Sequence, residues 1–471
     1  MHCNWGTMEK KKKFIMPHSL VIIAIIMAAA VVLTWIIPAG SFERIQNDAG
    51  ITVIDPQSFH YIGSNHANLF SLPRFMVEGY VGSVDLILMI LFSGGAFEVI
   101  TSTGALQNLI AKMSRYFAQR EAVFIVGVMT FFALICTTIG VNTFIGFSPI
   151  MVMFALSLGY DSVVGVALIL LGGAVGFSTG MLNLNTTIIS QRMAELPLYS
   201  GIGYRFVCFA VYLAVTAAYL IRYAKRIKNN PRLSPMYEED LQTRKQSVEI
   251  TLEESMGIRE ILVIITLFVS LGVIVYGGIM WKWDLNDNSA VFIWTGIIAG
   301  LAAGFSPSKI AQCFTAGARR MIGAVLILGM ARSISVVLNA GGVLDTIVYG
   351  IGQAIYGIPK ILQGPIMFLA NVVINIFIVS GSGQATVVMP VFIPVADMIG
   401  ITRQTTILAF NFGDGFCNYI IPMSTALMGN LGAVNIPYEK WMKFMWKLFL
   451  IWLAVGSILL VIAQQMNYGP M

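Results

Sequence analysis

Long apolar stretches separated by short polar segments occupy most of the chain. Most of these stretches are close to the roughly 20 residues that an α-helix needs to cross a lipid bilayer. They lie at about residues 20–37, 83–110, 163–189, 204–223, 258–280, 290–305, 321–343, 405–428 and 446–464. The pattern predicts an all-α polytopic membrane protein.

Two further apolar stretches, at about residues 122–158 and 365–399, are too long for one crossing. A polar, glycine-containing break lies near the middle of each, at residues 140–143 and 380–384. Because hydrocarbon cannot satisfy irregular backbone, such breaks persist only inside protein or beside a wet cavity. We predict that each stretch forms a re-entrant hairpin with its tip at the break.

The same order of elements occurs twice, and each copy also contains an interrupted helix, broken at residues 178–187 and 411–425. The corresponding positions are residues 86–105 with 324–343, residues 176–186 with 415–425, Gly140 with Gly381, and Pro149 with Pro390. Counting crossings from the basic loops places the start of the first unit outside and the start of the second inside. We therefore predict two inverted-topology repeats, an architecture typical of secondary transporters.

This organisation divides the chain into five predicted parts, with extra N-terminal and central helices beside the repeats. They are an N-terminal basic segment with the first helix and an outer loop (1–80), the first repeat (81–224), a cytoplasmic linker (225–257), two connecting helices (258–320) and the second repeat (321–471).

Composition and charge agree with a membrane protein. Apolar residues make up 57% and charged residues 11% of the 471 residues, whereas soluble domains carry about 25% charged residues. The excess positive charge is concentrated beside apolar stretches, in Lys10–Lys13 and in Lys225, Arg226, Lys228 and Arg232. This distribution predicts a cytoplasmic N-terminus and linker, with the lipid bilayer rather than nucleic acid as partner.

Cysteine and histidine positions give no sign of a metal centre or a cofactor. The five cysteines are scattered without a Cys-x-x-Cys pair, and the four histidines lie outside the later apolar stretches. Such spacing predicts neither a disulfide framework nor a zinc site. We expect no cofactor.

The polar side chains of the four breaks are the candidate binding residues. They are Asn142 and Thr143 at the first tip, Ser380, Ser382, Gly383 and Gln384 at the second tip, Ser178, Asn183, Asn185 and Thr186 in the first interrupted helix, and Asp414, Asn418, Ser424 and Thr425 in the second. Free N–H groups at half-helix N-termini suit an anion, while hydroxyls and amides can hydrogen-bond a carboxylate. Polar residues also hold membrane helices together, but four matched clusters favour a binding site over that role.

Ionisable residues inside the apolar stretches refine this prediction, because intramembrane charge is costly and usually functional. Asp414 could bind a proton, a sodium ion or a substrate ammonium group, and a sodium site near Gly140, Gly381 and Asp414 is possible on these grounds. Glu98 and Arg332 could form a structural ion pair or lie near a boundary. Neither hairpin tip contains Arg or Lys, so we expect dipoles and hydroxyls, rather than ion pairs, to hold a substrate carboxylate.

Two other functional classes fit the sequence less well. An intramembrane aspartyl protease would need Asp161 and Asp414 to share a proton, but Asp161 is predicted at a loop edge. In addition, Asn411 stands where the Gly-x-Gly-Asp motif of such proteases has a glycine. A channel would tolerate polar pore residues but has no need of two inverted hairpins.

Three motifs resemble one family of carriers. Residues 16–40, the Phe-Ser-Gly-Gly-Ala-Phe motif at 92–97 and the Asn-Phe-Gly-Asp-Gly-Phe motif at 411–416 are similar to the YfcC branch of the DcuC-type anaerobic carriers, over about residues 14–465. The resemblance places the chain in the ion-transporter superfamily. It implies a homodimer with a scaffold part and a moving transport part, an elevator arrangement.

The resemblance also implies a choice of substrates, because this branch includes arginine/ornithine-type antiporters as well as four-carbon dicarboxylate carriers. Asn142 and Thr143 match the superfamily's Ser-Asn-Thr tip motif, but Val141 replaces its serine and the second tip lacks Asn and Thr. We therefore predict a secondary active transporter, not an enzyme, for a small carboxylate-bearing metabolite. An amino acid, by arginine/ornithine-like exchange or proton or sodium coupling, is favoured over a four-carbon dicarboxylate.

Overall fold

α-Helices make up most of the described chain. The computed structural model describes residues 19–46, 52–55, 57–63, 66–109, 112, 120–248, 257–281, 283–355 and 358–469, so the lysine cluster at 10–13 and residues 249–256 of the linker lie outside it. The helices are α1 (Ser19–Ile36), α2 (Leu72–Val81), α3 (Val84–Ser102), α4 (Glu121–Ile135), α5 (Ser148–Ser157), α6 (Ser162–Thr179), α7 (Ile189–Met193), α8 (Ile202–Asn229), α9 (Tyr237–Val248), α10 (Ile258–Tyr276), α11 (Leu285–Ala302), α12 (Pro307–Arg320), α13 (Ile322–Ala340), α14 (Leu344–Ile355), α15 (Lys360–Phe377), α16 (Gly381–Ile399), α17 (Arg403–Cys417), α18 (Thr425–Ala433) and α19 (Tyr438–Gln465).

Several helices have the length and composition of membrane spans. Among the described residues, eight qualify, namely α3, α6, α8, α10, α13, α15, α16 and α19, while α1, α4 and α5 include shorter apolar segments. The exposed side chains of α10 are largely apolar, including Ile261, Leu262, Ile265 and Phe268, as expected of a helix that faces lipid. The chain is a multi-pass membrane protein.

The two repeats pack in the same way. In the first, α4 packs against α6 and α8, and α5 packs against α6; in the second, α15 packs against α17 and α19, and α16 packs against α17. Between α3 and α13 the chain passes through α6, α8, α10 and α11. A re-entrant hairpin enters and leaves on the same side of the membrane, so it adds no crossing. Because the four intervening helices return the chain to the side of the membrane on which α3 ends, α3 and α13 run in opposite directions, and the two repeats are inverted.

The interrupted helices form the centre of the protein and pack against each other. Every residue of α6 except Phe177 is buried, and so is every residue of α17 after Arg403. A helix that is apolar and buried on all sides has no face left for lipid, so the breaks at its end face other protein segments. The first break follows Gly180, which ends α6 in a left-handed conformation with φ of +62°.

The second break begins later than the sequence predicts. Residues 411–417 continue α17 as regular helix, and the break covers residues 418–424. The glycines that suggested an earlier break instead allow close packing. A Cβ atom at Gly413 would lie 2.4 Å from Cβ of Asn371, and one at Gly415 would lie 2.3 Å from Oγ of Ser178.

The predicted cytoplasmic linker is docked onto both repeats through α9. The carboxylate of Asp240 accepts a hydrogen bond from the backbone N–H of Ser162 at the start of α6. Glu239 forms an ion pair with Lys440 of α19. On the predicted outer side, the segment between α1 and α2 contains two small antiparallel two-stranded sheets, β1 (Gly40–Ser41) with β4 (His60–Tyr61) and β2 (Arg44–Gln46) with β3 (Thr52–Ile54).

Candidate functional site

The two hairpin tips have different backbone conformations. At the first, α4 ends at Ile135 and a 3₁₀ helix (Val141–Phe147) begins after the extended Gly140 and leads into α5. At the second, α16 begins at Gly381, and Oγ of Ser380 accepts a hydrogen bond of 3.3 Å from the backbone N–H of Gly383. A serine cap of this kind fixes the start of the helix.

A cavity of about 280 Å³ lies between the two tips and the second helix break. The predicted binding residues on its wall are Asn142, Ser380, Asn418, Ser424 and Thr425, together with Gly140 and Gly381. The other lining residues are Val141, Phe177, Arg332, Val379, Tyr419, Met423 and Ala426. The structure thus brings both tips and one interrupted helix to a single cavity.

Three helix starts line this cavity. The 3₁₀ helix begins at Val141, α16 at Gly381 and α18 at Thr425, and all three residues are on the wall. Helix N-termini carry free N–H groups and partial positive charge, so their convergence favours an anionic group.

Arg332 adds a full positive charge to the same wall, a group that the expectation of binding by dipoles and hydroxyls did not include. The half-buried Arg332 has no ion-pair partner among the described residues. The expected pairing with Glu98 is wrong, because Glu98 pairs with Arg320. The tips themselves contain no Arg or Lys, but α13 packs against α18 and so carries Arg332 to the cavity.

Asp414 lies directly behind the second tip rather than on the cavity wall. Its side chain is fully buried, and a Cβ atom at Gly381 would lie 2.9 Å from Oδ2 of Asp414 and 2.7 Å from Cγ2 of Thr186. Neither carboxylate oxygen has a hydrogen-bond donor in the described part of the chain. A buried carboxylate without a donor requires a proton or a cation.

Other buried oxygen atoms near Asp414 also lack donors. They are Oγ of Ser178, Oε1 of Gln384 and Oδ1 of Asn375. Asn375 contacts this region because its Nδ2 atom donates to the backbone carbonyl of Asp414, and Ser178 lies against Gly415. A group of oxygen acceptors without donors is the type of environment that binds a small hard cation.

The remaining predicted residues have structural contacts near the breaks. Oδ1 of Asn183 accepts from the backbone N–H of Thr186 at 3.1 Å, and Gln384 donates to Oδ1 of Asn371 at 3.2 Å. Thr143 is buried behind the first tip. Ser382 and Gly383 belong to the first turn of α16 but are not on the cavity wall, and the side chain of Asn185 lies outside the described residues.

Sequence reasoning missed Arg205, which is buried beside the first helix break. Its Nη1 atom donates to Oδ1 of Asn411 at 2.9 Å and to the backbone carbonyl of Thr179 at 3.2 Å. The Nδ2 atom of Asn411 in turn donates to Oγ1 of Thr186. Asn411, which stands where the aspartyl protease motif has a glycine, therefore belongs to this hydrogen-bond network.

The aspartyl protease alternative requires two neighbouring carboxyl groups, and the structure separates them. Asp161 caps the N-terminus of α6 and binds Tyr223 and Ser234. Ser178, which packs against the helix turn of Asp414, lies 17 positions further along the chain, a helical rise of roughly 25 Å. The two aspartates cannot share a proton.

Comparisons with known proteins agree with a transporter. Residues 16–465 match the family model DcuC, described as a C4-dicarboxylate anaerobic carrier. A protein of Escherichia coli strain K12, named "Putative basic amino acid antiporter YfcC", is 30% identical over 97% of this chain and 98% of its own length. An uncharacterized protein of Haemophilus influenzae is 27% identical over 96% of this chain and 98% of its own.

Two solved transporter structures share a weaker similarity. The YdaH transporter of Alcanivorax borkumensis gives a TM-score of 0.42 at 15% identity, covering 96% of this chain and all of that one (100%). MtrF of Neisseria gonorrhoeae, described among antimetabolite efflux pumps, gives 0.39 at 14% identity, covering 95% of each chain. The family resemblance of the sequence motifs is confirmed by the match over residues 16–465, and the chain belongs to the DcuC family of C4-dicarboxylate anaerobic carriers.

Proposed function

We propose that this secondary transporter carries a small carboxylate-bearing metabolite, with the substrate carboxylate bound to Arg332 between the two hairpin tips. The observation that carries the proposal is a guanidinium that has no ion-pair partner among the described residues and lies on a cavity wall where three helices begin. Asn142, Ser380, Asn418, Ser424 and Thr425 are the polar groups that would surround the rest of the substrate.

An amino acid is the substrate class we favour. A zwitterion carries one carboxylate for Arg332 and one ammonium group, for which Oδ1 of Asn142 on the cavity wall, without a donor among the described residues, is an acceptor. The Escherichia coli relative, whose name proposes basic amino acid antiport, supports the same class. Arginine/ornithine-like exchange is therefore the first activity to test.

A four-carbon dicarboxylate is the second candidate. The cavity wall contains Arg332 and no acidic residue, so its charge alone would also accept a substrate with two carboxylates. The description of the family names this substrate class. The two candidates differ in net charge and are separated by the panel of substrates below.

The coupling cation would bind behind the second tip. Asp414, Ser178, Gln384 and Asn375 provide buried oxygen atoms without donors, and Gly381 lies against the Asp414 carboxylate. Sodium would use these oxygens as ligands, and the two hairpin tips, at Gly140 and Gly381, would close over it. A proton would bind Asp414 alone. In a pure exchanger, the outward movement of a counter-substrate, rather than the inward movement of a cation, would drive uptake of the substrate.

The movement we propose is of the elevator type. Residues 81–224 and 321–471 would be the repeat units, and their hairpins and interrupted helices, α4–α8 and α15–α19, would form the moving part. The segments 1–80 and 258–320, with α3, would form the scaffold and the contact of a homodimer in the bacterial inner membrane, linked by the cytoplasmic segment 225–257. Packing of α10 against α11, and of α11 and α12 against α3, supports this division.

Counterflow in proteoliposomes tests the proposal. Vesicles loaded with unlabelled substrate are assayed for uptake of labelled arginine, ornithine, citrulline, neutral amino acids, dipeptides and dicarboxylates, with Arg332→Lys, Arg332→Gln and, as control, Arg320→Gln. Loss of a charge-assisted hydrogen bond predicts about 10- to 100-fold weaker apparent affinity for Arg332→Gln, a smaller loss for Arg332→Lys, and none for Arg320→Gln. Uptake without acceleration by internal substrate would indicate a channel, and unchanged affinity in Arg332→Gln would reject the binding mode.

A further inference from the structure

Arg205 is a buried positive charge without an acidic partner. The side chain is 1% exposed, and its Nε and Nη2 atoms have no hydrogen-bond partner. In the described part of the chain it forms no ion pair, and its hydrogen bonds go to neutral oxygens, namely the carbonyl of Thr179, the amide oxygen of Asn411 and the hydroxyl of Tyr468. Because intramembrane charge is costly, a guanidinium retained in such a place calls for a reason.

The group stands at the C-terminal end of an interrupted helix. The helix α6 ends at Thr179, and a Cβ atom at the following Gly180 would lie only 2.8 Å from Nη1 of Arg205. Thr187 donates to the carbonyl of Gly180 and contacts Asn411 at 3.3 Å. Carbonyls at such a broken helix end carry partial negative charge and, with nearby polar oxygens, are the groups that coordinate small cations in transporters.

We propose that Arg205 is a tethered cation, whose guanidinium occupies a cation site formed by the Thr179 carbonyl, Asn411 and the broken end of α6. Removal of the side chain would leave backbone and amide oxygens around a space that a sodium ion or a small guanidinium ion can enter. The inference goes beyond the proposed function because it concerns binding at the first helix break, away from the cavity wall that contains Arg332.

The neighbours of the guanidinium favour this role over that of an anion site. The groups that it contacts are oxygen acceptors at a helix C-terminus, where an anion is repelled. The hydroxyl of Tyr468, which is hydrogen-bonded to Arg205, donates its own proton to the carbonyl of Gly201, so its oxygen is a further acceptor for the guanidinium. The second break differs, because there the buried carboxylate of Asp414 has no tethered cation beside it.

The tethered cation also positions the second hairpin tip. Asn411, fixed by Arg205, donates to Oγ1 of Thr186 at 3.1 Å. The methyl group of Thr186 and the carboxylate of Asp414 both lie against Gly381. A contiguous series of contacts therefore connects the first break to the second tip, so loss of the guanidinium should change the structure at both places.

Chemical rescue of the purified full-length protein tests this inference without relying on transport. Thermal unfolding is measured in choline gluconate and again after addition of sodium gluconate or methylguanidinium. The proteins compared are the wild type, Arg205→Ser, Arg205→Lys and Arg222→Ser. Arg222→Ser is the matched control because Arg222 is exposed on the same helix. We expect Arg205→Ser to unfold at lower temperature and to gain at least about 2 °C more than the wild type from either cation. Arg205→Lys and Arg222→Ser should respond as the wild type does.

Three results would overturn the inference. The first is an Arg205→Ser protein that folds but gains no more from these cations than the wild type. The second applies if Arg205→Ser is aggregated when it is purified: methylguanidinium, added during solubilisation, does not increase the fraction of monodisperse protein. The third is a wild type stabilised by chloride over gluconate with loss of this effect in Arg205→Ser, which would make the guanidinium an anion site. Transport of no tested substrate would reject the proposed function and leave this result unaffected.

Discussion

The backbone of Gly381 lies against the carboxylate of Asp414, so closely that a Cβ atom at residue 381 would be 2.9 Å from Oδ2. The first residue of the second re-entrant helix therefore closes the pocket in which the proposed coupling cation binds. Only glycine leaves room for both the carboxylate and a ligand, because the same Cβ atom would also lie 2.7 Å from Thr186.

Gly381→Ala should impair ion coupling more than folding. The added methyl group enters the space beside Asp414, and we expect at least about a tenfold loss of the initial uptake rate, since a displacement of a few tenths of an ångström disturbs a coordination site. The control is Gly350→Ala in α14, which is not on the cavity wall and where a Cβ atom meets nothing within 4 Å. Equal uptake by the wild type and Gly381→Ala in proteoliposomes would contradict the proposed site.

Asp414→Asn removes the buried charge while keeping the shape of the side chain. If Asp414 binds the coupling cation or proton, the variant should lose dependence of transport on sodium or on a pH gradient, with uptake reduced at least about tenfold. Exchange of substrate for substrate should be the less affected mode, because it needs no net cation movement. Uptake is measured with and without each gradient.

Asn142→Ala tests the first tip separately. Asn142 lies on the cavity wall, and its Oδ1 atom has no donor in the described structure. Loss of a neutral hydrogen bond to the substrate predicts an apparent affinity reduced about 3- to 10-fold, without a change in ion dependence. The proposed site fails if Asp414→Asn and Asn142→Ala both leave uptake unchanged.

The location of the binding cavity was largely predictable from the sequence. Polar residues at glycine-containing breaks in apolar stretches can be recognised without coordinates, and Asn142, Ser380 and Asn418 do line one cavity. The physical reason is that hydrocarbon excludes irregular backbone, so each break reports a buried or wet environment. The register of the second break was less predictable, because Gly413 and Gly415 serve helix packing against Asn371 and Ser178.

The positions of the two arginines could not be predicted in the same way. Arg205 is 206 positions from Asn411 in the sequence and close to a predicted helix boundary, where an arginine normally reaches toward water. Arg332 lies on α13, and only the packing of α13 on α18 brings it to the cavity. Local patterns give the elements of such a site, but tertiary packing decides which distant charges join it.

Asp161 provides a stability prediction outside the membrane spans. Burial raises the pKa of this carboxyl, although hydrogen bonds from Ser234 and Tyr223 partly oppose the shift. The native protein thus holds a proton that the unfolded chain releases near pH 4. Stability should consequently fall as pH rises from about 4 toward the raised pKa, by at most about 1.4 kcal/mol per pH unit for this group, and be constant above it.

Asp161→Asn should flatten this part of the pH dependence, because an amide keeps the shape of the neutral carboxyl but does not titrate. The linker should stay docked, since Asp240 still accepts from the backbone of Ser162 at 3.0 Å. Unfolding temperatures of the purified protein between pH 4.5 and 8 are compared for the wild type, Asp161→Asn and Glu195→Gln, whose side chain is 80% exposed. A slope that persists in Asp161→Asn would assign the titration to another group, whereas a slope lost in Glu195→Gln would show that surface charge is responsible.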